Sequence, residues 1–314
     1  MQKLLVITGP TAVGKSEIAL ELAAGINAEI ISADSVQVYR GFDIGTAKPT
    51  PAERSRVRHH LLDIVDPSEN YTVADFQKDA FAAIRDISGR GKLPMLVGGT
   101  GLYIRAVVRG FAFSPAAEDE KLRRKLYNEA KLLGPRALHE RLSAVDPLAA
   151  QNIHPNDLRR IIRALEVHEL TRRPISEQVQ QTPAKPVFDT VQFCLTRPRK
   201  QLYERIEKRV DKMLADGFLT EVRKLLAQGI SPRAKAMQSL GYRQLVSYLE
   251  GKITLAEAVE LIKGDTRRFA KRQLTWFRRE PDLIWIDLDK YDNNFAVTEN
   301  ISTYLAGYYQ IKKN

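Results

Sequence analysis

The chain has 314 residues, 44% of them hydrophobic and 28% charged, which fits one large core or a core carrying an insert. Its single cysteine, Cys194, excludes internal disulfides and a cysteine-rich metal site, and no apolar run approaches the length of a membrane helix. The net charge of +11 is concentrated: residues 197–280 hold 20 Lys/Arg against 10 Asp/Glu, whereas the other 230 residues hold 29 against 28.

The N-terminal MQKLLVITGPT reaches glycine at position 9, too soon for a signal-peptide core, so the expected compartment is the cytoplasm. KLLVITG (3–9) reads as a buried strand running into a glycine loop. EIALELAAG (17–25) has helical spacing, with Gly25 as its C-cap. AEIISAD (28–34) is a second strand with a carboxylate at its C-terminal end, and HLLDIVDP (60–67) is a short apolar segment. TVADFQKDAFAAIRDISGRG (72–91) is a helix with Phe76, Ala80, Phe81, Ile84 and Ile87 on its apolar face. LPMLVGGTGLY (93–103) is a further buried strand entering a glycine turn. This alternation predicts a parallel α/β sheet, whose ligands bind beyond the C-terminal strand ends. From about 116 the pattern becomes helical only, in three amphipathic segments, followed by a Pro- and Gln-rich loop (172–190). VQFCLTRP (191–198) resumes the sheet, helices follow from 199 to 280, and LIWIDLD (283–289) is a last strand. The expected organisation is an α/β core of residues 1–115 and 191–314, with an all-helical insertion domain at 116–190.

GPTAVGKS (9–16) fits G-x-x-x-x-G-K-[ST] in full, between a strand and a helix. The fold class is therefore a P-loop NTPase-like parallel sheet flanked by helices. Gly9 and Gly14 let the backbone of Pro10, Thr11, Ala12 and Val13 wrap so that successive N–H groups converge on phosphate oxygens, Lys15 adds a point charge, and the Ser16 hydroxyl is placed to ligate Mg²⁺. Such a loop recognises a diphosphate without specifying what carries it. A nucleoside triphosphate is the usual occupant, but the apolar strand PMLVGG ends in glycine where an NTPase places a metal-holding aspartate. An RNA-associated P-loop kinase or NTPase is the alternative reading. Asp34, next to the loop, either accepts a proton from a nucleophile or caps a turn. Ser35 and Gln37 can hydrogen-bond a base edge, and GGTGLY (98–103) presents Thr100 in a tight turn.

GPTAVGKS, ISADSVQVYRGFDIGTAKP, HHLLDIVDP, VGGTGLYIRAVVRG, MQSLGYRQL (237–245) and DTRRFAKRQLTWFR (265–278) together resemble the bacterial tRNA dimethylallyltransferases, also called tRNA isopentenyltransferases. The resemblance implies transfer of a dimethylallyl group from dimethylallyl diphosphate to the exocyclic amine of the adenosine beside the anticodon. It makes Asp34 the base and places Thr100 near the diphosphate and the amine. It also turns one of Arg205 and Arg209 to the diphosphate; spacing does not decide which. Magnesium is the implied cofactor, and an anticodon stem-loop the implied partner, its target base splayed out to reach the site. Asp34, Ser35, Val36, Gln37 and Thr100 are the expected contacts at that base.

In 263–279, Arg268, Lys271, Arg272, Thr275 and Arg279 form one helical stripe suited to a phosphate backbone. Phe269, Ala270, Gln273 and Phe277 form a second, packing stripe, although Gln273 is also counted as an RNA contact. Lys235, Gln238, Arg243 and Trp276 are further candidates. In the insert, Leu158, Ile161, Ile162 and Leu165 point inward, which leaves Arg159, Arg160 and Arg163 for RNA, with Arg123 in addition. His59 and His60 read as structural, no membrane contact is expected, and nothing demands more than a monomer.

Overall fold

The computed structural model describes residues 1–113, 119–177 and 186–309. The boundary expected at 115–116 and part of the Pro- and Gln-rich loop lie outside them. The chain forms two compact units, Met1–Val108 with Phe188–Asn314, and Arg109–Val187.

The first unit is one six-stranded parallel sheet flanked by helices: β1 (Lys3–Thr8), β2 (Ala28–Ala33), β3 (His59–His60), β4 (Leu93–Gly98), β5 (Asp189–Thr196) and β6 (Leu283–Asp287). Their order is β3-β2-β4-β1-β5-β6. β2 and β4 are buried along their whole length, as a sheet covered on both faces requires. The register positions the chemistry. Thr8 pairs with Gly98 and with Cys194, and Gly98 pairs with Ala33. The chain therefore leaves β1, β2 and β4 at one level, and Gly9, Asp34 and Gly99 step off side by side.

α1 (Lys15–Gly25) starts directly from the glycine loop and buries Ile18 and Leu22 against the sheet. Gly25 does not cap it; it is the last helical residue, and the left-handed position is Asn27, at φ 52°. α2 is Pro51–Arg56 and α3 is Val73–Gly89, the latter opened by a Thr72–Asp75 capping box. Only His59 and His60 of the segment before Pro67 join the sheet. Leu61 and Asp63 are left-handed, at φ 61° and 57°. Leu61 and Val65 are buried there, Ile64 is exposed, and the amides of Ile64 and Val65 both bond the Val38 carbonyl of a loop instead. After β4 comes α4 (Gly101–Arg109).

In the second unit, α5 (Glu120–Leu133), α6 (Pro135–Val145), α7 (Pro147–Asn152) and α8 (Leu158–Thr171) enclose a core that includes Leu126, Leu138, Leu142, Ile161 and Leu165. Glu166 is fully buried in it. Arg123 Nε lies 2.8 Å from one carboxylate oxygen and Arg163 2.6 Å from the other, and the Asp119 amide also donates to it. Burial raises this carboxyl's pKa, but the two arginines and the amide outweigh it and hold the group below its ordinary value. Arg123 and Arg163, expected to face RNA, are thus the partners of a buried charge. Glu166 lies one turn beyond Ile162 on the inward stripe, and apolar spacing does not say which cations meet it there. Glu166→Ala is expected to lower the unfolding free energy by about 2–4 kcal/mol, since it removes the buried carboxylate that two guanidinium groups clasp. The urea midpoint of the full chain measures it; an unchanged midpoint contradicts it.

The C-terminal segments complete the first unit: α9 (Arg199–Ala215), α10 (Phe218–Ala227), α11 (Tyr242–Leu249), α12 (Leu255–Phe277) and α13 (Asn294–Tyr309). α13 follows the last strand and completes the core on the side of α1. It packs Val297, Ile301 and Leu305 into the same core as α1. The Tyr309 hydroxyl donates to the Asp189 carbonyl at 2.6 Å and accepts the Val191 amide at 3.1 Å, locking the start of β5. Among the described residues no helix is long and apolar enough to cross a membrane.

Candidate active site

A cavity of about 340 Å³ opens at the C-terminal ends of β1, β2 and β4. Thr11, Lys15 and Ser16 line it from the glycine loop, Asp34 to Gln37 from the segment after β2, and Thr100 from the turn after β4. Arg209 reaches it from α9, and Phe269 and Gln273 from α12. Parallel topology puts the loops at one end of the sheet, and the shared register brings them to one level.

The loop is braced from behind. Arg205 Nε donates to the Ala12 carbonyl at 2.9 Å, and Arg197 Nε donates to the Val13 carbonyl at 3.0 Å. Holding these carbonyls on the outside leaves the loop's amides to converge on an anion. Lys15 Nζ bonds the Pro10 carbonyl at 2.8 Å. Burial lowers its pKa to about 8, with nearby Arg209 adding to the effect and Asp34 opposing it. Arg209 is also depressed, first by burial. Two partly buried cations therefore share a cavity with the Asp34 carboxylate, a charge balance that favours an incoming anion. Of the two arginines left open by spacing, Arg209 lines the cavity, while Arg205 supports the loop.

Asp34 caps the turn, as one of its two readings expected, and keeps one carboxylate oxygen open. Its Oδ1 accepts the amides of Val36 at 2.8 Å and Gln37 at 3.2 Å, which fixes the turn. Its Oδ2 has no hydrogen-bond partner among the described residues. The Thr100 amide donates to the carbonyl of Ala33, immediately before Asp34, so the Thr100 turn is stitched to the Asp34 turn. His60 bonds buried Glu29 at 2.8 Å and is structural, whereas His59 lines the cavity. Cys194 is buried, and burial pushes its thiol up to about 12.

The density of the motif at 33–49 has a second cause. Gln37, expected to read a base, has both ends of its amide engaged, with Ser32 at 2.8 Å and the Thr46 carbonyl at 3.1 Å. Lys48 is buried and pairs with Asp43 at 2.7 Å and Asp63 at 2.6 Å. Glu221 of α10 accepts the amides of Asp43, Ile44 and Gly45 and the Tyr242 hydroxyl. Lys48, Glu221 and Arg197 were not singled out in the sequence. Nothing in their local sequence names the distant partner of each.

The basic stripe of α12 also divides. Lys271 and Arg272 are exposed, Arg272 lying 5.9 Å over the Phe269 ring. Arg268 and Arg243 share Asp265 at 2.5 and 2.8 Å. Lys235 bonds the Tyr71 carbonyl, and Gln238 bonds the Pro232 carbonyl at 2.7 Å. Phe269, expected to pack, is 37% exposed and lines the cavity. Gln273 and Trp276 turn inward. Gln273 is 7% exposed, and the Trp276 Nε1 is buried without a partner among the described residues. In the insert, Arg160 pairs with Asp157 at 3.0 Å, and Arg159 is exposed.

The sequence model of the IPP transferase family matches residues 37–280. The tRNA dimethylallyltransferase of Pelotomaculum thermopropionicum is 49% identical over 306 residues, 98% of this chain and 97% of that protein. Among solved structures, the full-length tRNA isopentenylpyrophosphate transferase of Bacillus halodurans is 44% identical with a TM-score of 0.74, covering 99% of this chain and 97% of that one. A eukaryotic dimethylallyltransferase solved acting on tRNA is 31% identical with a TM-score of 0.80, covering 100% of this chain and 81% of that one. The chain thus belongs to the IPP transferase family, the family of the tRNA dimethylallyltransferases it resembles.

Proposed function

We propose that this chain transfers a dimethylallyl group from dimethylallyl diphosphate to the exocyclic N6 of the adenosine 3′-adjacent to the anticodon of tRNA, releasing diphosphate. The observation that carries this reading is the shared cavity: the glycine loop, Thr100, Arg209 and an Asp34 whose Oδ2 is unpartnered among the described residues. The loop amides left open to the cavity, which exclude the Thr11 amide bonded to Gln273, act with Lys15 and Arg209 to hold the diphosphate and stabilise the charge that grows on it as the C1–O bond breaks. The adenine amine is a weak nucleophile because its lone pair is delocalised into the ring. As its nitrogen bonds C1, Asp34 Oδ2 accepts the departing proton. The electron pair of the broken bond leaves with the diphosphate. Thr100 supplies a hydroxyl between the amine and the departing oxygen.

Magnesium fits the donor set. Among the described residues no group of three or more His, Cys, Asp or Glu forms a metal cage. A magnesium ion shared with a diphosphate needs only one or two protein oxygens, and the Ser16 hydroxyl lines the cavity to provide one. Bound there, the ion would neutralise charge on the leaving diphosphate.

RNA is gathered by the cationic surface of α12, where Lys271 and Arg272 are exposed, with Arg268 and Arg243 beside them. On the helical insert, Arg159 and Arg160 are the cations proposed to meet RNA. Ser35 and Val36 meet the splayed adenosine, while Phe269 offers it a stacking face. The test is mass spectrometry of an anticodon stem-loop after incubation with dimethylallyl diphosphate and magnesium. A gain of one dimethylallyl unit on adenosine is expected. Unmodified RNA together with steady ATP hydrolysis overturns the reading in favour of an NTPase.

A further inference from the structure

Thr100 sits between two glycines, and α12 occupies the space that a side chain on either would need. A methyl group added at Gly99 would collide with Gln273 Nε2, and one added at Gly101 with the Trp276 indole. Trp276 is held there by the Arg105 guanidinium, stacked 4.3 Å from its ring, and Arg105 is itself paired with Glu280. Gln273 goes further and ties two loops together. Its Oε1 accepts the Thr11 amide at 2.8 Å, and its Nε2 donates to the Gly99 carbonyl at 2.9 Å. One nearly buried amide thus spans the diphosphate loop and the turn that carries Thr100. Both of its ends are engaged, so it has little left to offer a base.

From this geometry we infer that Gln273 is a positioning residue, which fixes the Thr100 hydroxyl relative to the diphosphate loop. It acts through Thr100 rather than on RNA. The inference rests on the transferase reading above. A glutamine is required because the site needs one acceptor and one donor about 2 Å apart on a flat group. A glutamate would set an oxygen against the Gly99 carbonyl, and a methionine would fill the volume with neither bond. The effect on rate follows from alignment, since small misplacements of reacting groups can slow a reaction by about a hundredfold.

The experiment compares wild type, Gln273→Met, Thr100→Ala and the double variant by single-turnover and steady-state transfer to an anticodon stem-loop. Gln273→Met is expected to lower kcat about tenfold or more, with KM for the RNA within about twofold of wild type. The double variant is expected to be no slower than Thr100→Ala within about twofold, because a strut for Thr100 has nothing to position once the hydroxyl is gone. Gly99→Ala displaces the Gln273 amide from the other side, so it must show the same split, which covers a poorly folding Gln273→Met. Losses that multiply in the double variant, or a raised KM for RNA at unchanged kcat, overturn the inference. Absence of transfer by the wild type defeats the transferase reading instead, which keeps the two failures apart.

Discussion

Asp34→Asn is expected to slow transfer by about a hundred- to ten-thousandfold while RNA binding stays within about twofold of wild type. The variant is chosen for what it keeps. The asparagine carbonyl oxygen still accepts the amides of Val36 and Gln37, the two bonds that fix the turn. What it loses is the second carboxylate oxygen, which no described residue engages, and with it the only basic acceptor that Asp34 offers the cavity. A thousandfold loss corresponds to about 4 kcal/mol of barrier. Asp34→Ala removes the turn bonds as well, so it should be the less stable of the two in thermal unfolding. Single-turnover rates separate chemistry from release. Equal rates for Asp34→Asn and wild type contradict the assignment of Asp34 as the proton acceptor.

Lys15→Met is expected to reduce the single-turnover rate about a hundred- to thousandfold and to weaken diphosphate binding, because it removes a partly buried charge aimed at the leaving group. The same residue sets a pH dependence. Burial, then Arg209, lowers the Lys15 pKa to about 8, with Asp34 pulling the other way. The free protein therefore loses this positive charge as pH rises through about 8, and affinity for inorganic diphosphate should fall over that range. Bound diphosphate favours the charged amine, so binding above pH 8 takes up a proton. The contribution to folding has the opposite sign. Because the folded state binds this proton more weakly than the unfolded chain, stability from this group rises as pH climbs above about 8. Calorimetry of diphosphate binding in two buffers of different ionisation enthalpy reads the uptake directly. In Lys15→Met the component centred near pH 8 should disappear; its persistence assigns it to another group.

The parts of this molecule that sequence makes legible are those with short-range causes. A strand of six residues, a glycine loop and a helix start are local events, so the loop at 9–16 and the strand ends at Asp34 and Gly98 are read correctly. Their convergence follows from one topological rule about parallel sheets. Side-chain partners across the fold are a different matter. Arg123 and Arg163 look solvent-facing by helical spacing, yet both clasp Glu166, 43 and 3 residues away. Gln273 looks available to RNA, and its partners at Thr11 and Gly99 are 262 and 174 residues away. Phe269 fails in the other direction: an aromatic residue amid basic neighbours reads as packing, and here it lines the cavity. A periodic pattern says which face a residue takes. It carries no information about which distant atom meets that face, and polar residues are decided by that atom.

The central claim is that a cradle of main-chain amides holds the leaving diphosphate beside a carboxylate that takes the amine's proton. The most direct measurement is a crystal structure of the protein with an unreactive thio-analogue of dimethylallyl diphosphate, magnesium and an anticodon stem-loop. The account predicts diphosphate oxygens within about 3 Å of the loop amides and the adenine N6 within hydrogen-bond reach of Asp34 Oδ2. A diphosphate seated away from residues 9–16, or an N6 separated from Asp34 by more than one water, contradicts it.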